Sequence, residues 1–141
     1  MSHIILTSKL CNVLPRVLQD LPNLQEHKTV WCIVNAADVY ENKDFVLNDI
    51  AAFEKHDFSM IDIDLRVLQG QELEQELREV DSVFVSGWNT FYLLELVRKS
   101  GFDIISRWFG ERREHVSLWK IKNNLLQITR PFLRLRNSKK W

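Results

Sequence analysis

The sequence is poor in the residues that mark several common kinds of protein. It has 4 glycines, 3 prolines and 2 cysteines in 141 residues, which excludes collagen-like repeats, Pro- or Gly-rich low-complexity chains and a disulfide framework. No apolar run reaches the roughly 18 residues of a membrane-spanning helix. No cysteines or histidines have the spacing of metal ligands. We therefore expect no metal and no cofactor.

The first residues, MSHIILTS, lack the basic segment and the long apolar run of a signal peptide. We therefore expect a soluble cytoplasmic protein with no membrane partner. Cys32 lies in the apolar run VWCIV, and we predict that its thiol is buried.

What is present is an ordinary globular composition with an uneven distribution of charge. The chain is 45% hydrophobic and its formal net charge is +0. Residues 1–110 hold 10 Lys+Arg against 17 Asp+Glu, whereas residues 111–141 hold 9 against 2. A change this abrupt predicts one domain over residues 1–110 and a divergent basic tail over residues 111–141.

Four short apolar runs predict strands, and helical patterns separate them. The strands are predicted at His3–Thr7, Thr29–Val34, Met60–Asp64 and Ser82–Ser86. The helices are predicted at Leu10–Leu21, Asn42–His56, Gln71–Val80 and Thr90–Ser100, the last stopped by Gly101. This alternation is typical of a three-layer α/β/α, Rossmann-like or flavodoxin-like fold with a mostly parallel sheet. The segment HVSLWKIK of the tail is a candidate fifth strand.

In such a sheet the ligand site lies beyond the carboxyl ends of the strands, which directs attention to the loops Thr7–Lys9, Asn35–Tyr40 and Ser86–Thr90. In the last of these, Gly87 permits a tight turn and Asn89 or Thr90 can cap the following helix. Free amides at a helix start can stabilise negative charge. Any strand-to-helix turn favours the same residue types, so the pattern alone does not establish a site.

The segment Val80–Gly101, VDSVFVSGWNTFYLLELVRKSG, resembles the sheet-edge turn of the peptidase E and cyanophycinase family, which reads Gly-Gly-Gly-Asn-Thr-Phe before a Leu-rich helix. Ile4–Ser8, Val34–Tyr40 and Met60–Arg66 resemble earlier segments of that family in the same order. The resemblance covers residues 3–109. It implies the fold of class I glutamine amidotransferases, a serine hydrolase acting on small peptides, and an oxyanion or substrate turn at Gly87, Trp88 and Asn89.

The family's nucleophile lies on a Gly-x-Ser-Ala-Gly turn after the next strand, with a histidine and a carboxylate further along. No glycine here is followed two residues later by serine. Ser117 and His115 are the remaining catalytic candidates, and neither has a flanking glycine. We therefore expect a truncated, inactive member of the serine dipeptidase lineage, a pseudoenzyme, and leave open whether any enzyme activity remains.

Trp88 stands where the family has a glycine, and we interpret its ring as apolar cover over the sheet end rather than as a surface for stacking a ligand.

The tail has three interpretations. It is a frameshifted segment, a degenerate one, or the binding surface of a non-catalytic interaction protein with an acidic or nucleic-acid partner. No recognised nucleic-acid-binding motif accompanies its charge, so that partner is not favoured. A shortened sheet would leave an uncovered edge, which predicts a homodimer.

Overall fold

A computed structural model describes residues 3–7, 9–26, 28–78, 80, 82–106 and 116–120. Strands and helices alternate through this part of the chain. The strands are β1 (His3–Thr7), β2 (Thr29–Ile33), β3 (Ser59–Asp62), β4 (Ser82–Val85) and β5 (Val116–Lys120). The helices are α1 (Leu10–Asp20), α2 (Pro22–Glu26), α3 (Asp44–Lys55), α4 (Gly70–Arg78) and α5 (Thr90–Ser100), with a 3₁₀ turn at Asn35–Ala37.

The five strands form one sheet in the order β1-β5-β4-β2-β3, and every pairing is parallel. The predicted α/β fold with a parallel sheet is therefore confirmed, and the candidate fifth strand is present. β5 lies in the interior of the sheet, with Thr7 of β1 opposite Lys120 and Val85 of β4 opposite Trp119. This interior position was not predicted, because strand order depends on long-range pairing.

Each face of the sheet carries its own hydrophobic core. Side chains of successive strand residues point to opposite faces, so Cys32 and Phe84 join one cluster while Ile33 and Val85 join the other. The α1–α3 cluster is Leu10, Leu14, Leu18, Leu24, Val30, Cys32, Phe53, Phe58 and Phe84. The α4–α5 cluster includes Ile33, Ile63, Leu65, Leu73, Leu77, Val83, Val85, Leu93, Leu96 and Val97. Every residue of β4 is buried, as expected for a strand covered on both faces.

Several element bounds differ from the predicted ones. α1 ends at Asp20 rather than at Leu21, and it includes Pro15 as predicted; the proline lies on the exposed side while Leu10, Leu14 and Leu18 are buried. α2 was not predicted. β3 ends at Asp62 rather than at Asp64, because Asp64 starts a turn with Arg66. Gly101 ends α5 with φ 78, the left-handed conformation that glycine adopts without strain, so the predicted stop is confirmed.

None of the helices in the described part of the chain is long and apolar enough to cross a membrane.

Candidate functional site

Two of the loops singled out from the sequence meet at the carboxyl ends of β2 and β4. The amide of Ser86 donates to the carbonyl of Ile33 at 2.9 Å, and the amide of Asn89 donates to the carbonyl of Ala36 at 3.2 Å. The turn after β4 is therefore attached to the loop after β2 by backbone hydrogen bonds.

Asn89 begins α5 as predicted. Its backbone is extended, with φ −87 and ψ 95, and its side-chain oxygen accepts from the amide of Tyr92 at 3.0 Å. Among the described residues, positive φ occurs at Asp57, Gly70 and Gly101. Gly87 and Trp88 therefore make the turn without left-handed backbone, and Trp88 carries no strain of that kind.

The ring of Trp88 is packed against other aromatic rings. It stacks on Phe45 of α3 at 4.2 Å between centroids and 19° between planes. Tyr40 meets both rings edge-on at 6.2 Å. The indole is half-buried against the α4–α5 cluster, so this aromatic cluster joins the turn after β4 to the start of α3.

A polar network, which sequence reasoning missed, connects the loops after β2 and β3. Asn35 is 3% exposed, and its side-chain NH₂ donates to Asp38 at 2.9 Å and to Asp64 at 3.0 Å. Its side-chain oxygen accepts from the amide of Leu65 at 3.0 Å. Asp64 also accepts from the Arg66 guanidinium, at 2.9 Å from Nε and 2.6 Å from the terminal nitrogen.

The same network reaches α5. Asp38 accepts from the hydroxyl of Tyr92 at 3.4 Å and lies 3.6 Å from Nε of Arg66. We call Asn35, Asp38, Asp64, Arg66 and Tyr92 the amide network. It joins side chains from three separate segments at one edge of the sheet.

Within the amide network, Asp64 and Arg66 stabilise each other's charged forms. Hydrogen bonds from Arg66 keep the pKa of Asp64 well below its usual range, and the same contact raises the pKa of Arg66. The pKa of Tyr92 is raised, first by desolvation and then by the charge of Asp38. The pKa of neighbouring Asp62 is raised, unlike that of Asp64, because of burial and the charges of Asp64 and Asp38. Asp64 is therefore a fixed acceptor rather than a proton donor at neutral pH.

The other half of the edge, beside β5, is different. The hydroxyls of Thr7 and Ser86 are buried and have no hydrogen-bond partner in the part of the chain that the structure describes. Each stands two residues after a side chain that packs in the α1–α3 cluster, Ile5 and Phe84 respectively. Because strand residues two apart share a face, Thr7 lies on the α1–α3 side of β1, and Ser86 directly follows the end of β4. We call Thr7 and Ser86 the hydroxyl pair.

A buried carboxylate attaches the start of α1. Asp49 of α3 is fully buried and accepts from the amide of Cys11 at 3.0 Å. A carboxylate at a helix start satisfies an otherwise unpaired amide and interacts favourably with the helix dipole. Asp49 therefore stabilises the segment that follows β1.

The remaining residues predicted from the sequence fall in three places. Ser117 lies inside β5, with its Cα opposite Ile4 on one side and Val83 on the other. His115 lies outside the described residues. Cys32 is buried, and burial raises the pKa of its thiol to about 12, which makes it a packing residue rather than a nucleophile. No group of residues that could hold a metal ion occurs in the described segments.

Comparisons with known proteins agree with this architecture. The sequence model described as Peptidase family S51 matches residues 2–108. An uncharacterized peptidase of Listeria innocua serovar 6a is 32% identical over 103 residues, which cover 73% of this chain and 49% of the relative. A Listeria monocytogenes serovar 1/2a peptidase is also 32% identical over 103 residues, 50% of its length. The chain spans about half the length of the curated relatives it matches.

The fold comparison points the same way. The 1.5 Å crystal structure of a protein described as peptidase E, from Listeria monocytogenes EGD-e, has a TM-score of 0.75 and 28% identity. The match covers 84% of this chain and 57% of that one.

Proposed function

This chain belongs to peptidase family S51, and we propose on that premise that its 141 residues carry the oxyanion side of a serine-peptidase site without the nucleophile. Family membership places the chain in a lineage of peptidase-like hydrolases. The turn at Gly87, Trp88 and Asn89 then corresponds to the family's glycine-rich turn, whose amides stabilise the oxyanion in active members.

The observation that carries this proposal is the position of β5. Its carboxyl end, at Lys120, adjoins the ends of β1 and β4, next to the turn at Ser86–Thr90. A nucleophile on a strand-to-helix elbow would follow directly. The sequence there reads IKNNLLQ and contains no serine, threonine, cysteine or glycine.

Ser117 does not replace that nucleophile. It lies three residues before the end of β5 and is paired with a strand on either side. A nucleophile elbow instead requires a sharp turn at the end of the strand, which presents the hydroxyl at the edge of the sheet. We therefore propose that these residues hydrolyse no dipeptide by themselves.

A hydrolysis assay tests this proposal. The purified 141-residue chain is incubated with a set of Asp-Xaa dipeptides, beside a family member of demonstrated activity and the Ser117→Ala variant. We expect no release of free aspartate above the buffer background from either form of this chain. Turnover that Ser117→Ala abolishes would overturn the proposal and identify Ser117 as the nucleophile.

The charge of residues 111–141 supports a second candidate function, that of an interaction protein with an acidic partner. Nine basic residues against two acidic ones provide the electrostatic attraction that nucleic acids and acidic proteins require. Fluorescence anisotropy with labelled single-stranded DNA at low salt, repeated at high salt, checks it. Salt-sensitive binding supports this candidate, and absence of binding at low salt removes nucleic acid as the partner.

A further inference from the structure

We propose that Asn35 is the residue that positions the Ser86–Thr90 turn, through two hydrogen bonds that join the segment Asn35–Asp38 to Asn89 and to Tyr92 of α5. This inference rests on the proposed function for the importance of the turn. Its test needs no turnover, so the two proposals fail separately.

Asn35 uses both ends of its amide. The NH₂ group faces two carboxylates, Asp38 and Asp64, which only accept hydrogen bonds. The oxygen faces the Leu65 amide, which only donates. This set of partners fixes the orientation of the amide, and at 3% exposure water does not compete for it.

Two contacts transmit this arrangement to the turn. Asn35 begins the 3₁₀ turn Asn35–Ala37, and the carbonyl of the next residue, Ala36, accepts from the Asn89 amide at 3.2 Å. Asp38, oriented by the Asn35 NH₂, accepts from the Tyr92 hydroxyl at 3.4 Å. The first contact holds Asn89 and the second holds Tyr92. A hydrogen bond from the Tyr92 amide to the Asn89 side chain joins these two residues at the start of α5.

An asparagine is specifically suited to this position. An aspartate would place a third carboxylate against Asp38 and Asp64, and nearby like charges repel. A serine or threonine is shorter and has only one donor, so it cannot reach both carboxylates and also accept from Leu65. The residue is therefore matched to an edge that carries two acidic side chains.

The competing explanation is that Asn35 only fastens the loop after β3. Under that explanation, removing its side chain loosens Leu65 and leaves α5 unchanged. Site-resolved hydrogen exchange distinguishes the two, because the amides of Leu65, Asn89 and Tyr92 report the two ends of the proposed path.

The experiment compares Asn35→Ala with Asn48→Ala, which removes an exposed asparagine of α3. For Asn35→Ala we expect exchange at the Asn89 and Tyr92 amides to become about tenfold faster or more, as for the loss of a hydrogen bond to a charged group. The amides in the middle of α3 should keep their rates in both variants. Faster exchange at Leu65 alone would overturn the proposal.

A measurement on the unmodified protein covers the case in which Asn35→Ala does not fold. In low denaturant, the amides of Leu65, Asn89 and Tyr92 should open together with one shared dependence on denaturant, as members of a single cooperative unit. Openings with different dependences would contradict the proposal. If the chain hydrolyses peptides while its amide hydrogen exchange follows the expected pattern, the proposed function is wrong and the proposed role of Asn35 still stands.

Discussion

At the carboxyl ends of β2 and β3, the Asn35 side chain forms hydrogen bonds with two carboxylates and a backbone amide. The guanidinium of Arg66 balances the negative charge of Asp64. At the carboxyl ends of β1 and β4, the hydroxyl pair is buried, and neither member has a partner within the described residues. A buried hydroxyl without a hydrogen bond costs about 1–3 kcal/mol. The first half of the edge therefore satisfies its polar groups internally, whereas the described residues offer no hydrogen-bond partner to the two hydroxyls of the second half.

The two halves of the sheet edge differ in how their hydrogen-bonding groups are satisfied. The satisfied half fixes the geometry of the loops, and its acceptors are already occupied. In the half beside β5, the hydroxyls of Thr7 and Ser86 have no hydrogen-bond partner among the described residues.

Among these variants, Asn35→Ala should cause the largest loss of stability. Replacement by alanine leaves the buried Leu65 amide without an acceptor and two carboxylates without a shared donor. We expect the free energy of unfolding to fall by about 3 kcal/mol, mainly from the orphaned Leu65 amide, because Asp64 keeps its bonds from Arg66 and Asp38 keeps its contact with Tyr92. Urea denaturation measures this as a lower midpoint with an unchanged slope. Asn48→Ala is the control and should stay within about 0.5 kcal/mol of the parent protein.

Trp88→Gly removes the ring that is stacked on Phe45. We expect a loss of about 2 kcal/mol, because the aromatic pair contributes about 0.5–1.5 kcal/mol beyond the burial of a half-buried indole. Thermal unfolding followed by circular dichroism checks this value. An unchanged melting temperature would show that the aromatic cluster does not stabilise the turn.

The charge of Asp64 makes a smaller contribution, and that contribution depends on pH. Its pKa lies below the ordinary value of 3.8 in the folded chain, so the folded form keeps the charge while the unfolded form binds a proton. The stabilisation is therefore fully present above the ordinary value and is lost as the pH falls through the lowered one. Asp64→Asn should reduce stability at neutral pH by less than Asn35→Ala does, and the difference from the parent should shrink in acid. A pH-independent difference would contradict this cause.

Removing either hydroxyl of the hydroxyl pair should have the opposite effect on stability. Ser86→Ala and Thr7→Val each remove a buried hydroxyl that has no partner in the described structure, so we expect stability to stay level or to rise by up to about 1 kcal/mol. The same urea titration measures both variants. A loss above 1 kcal/mol in either variant would show that the hydroxyl is satisfied, and the contrast between the two halves would no longer hold.

The sequence predicted the parts of this fold that depend on local pattern. The apolar runs located the strands, and Asn89 and Gly101 marked the two ends of α5, because capping preferences act over a few residues. The resemblance of the Ser86–Phe91 turn to its family identified the lineage correctly.

The amide network was not predictable in the same way. Asn35 and Asp64 are 29 residues apart, and the sequence pattern places the first in a loop and the second at the end of a predicted strand, with nothing that links them. Only the tertiary packing of two strand ends brings them together. The signal available was positional, because polar residues followed two predicted strands where parallel strands present their ligands. The position of β5 was equally hidden, since strand order is a property of the whole sheet.

The interior position of β5 also constrains how the chain folds. The sheet is completed only when His3 pairs with Val116, so joining the edge strand β1 to β5 requires closing one of the longest loops available to the chain. Contacts of such large sequence separation slow folding. During synthesis, β1 must wait for most of the chain to leave the ribosome, and the flank of β4 is exposed to wrong partners in the meantime.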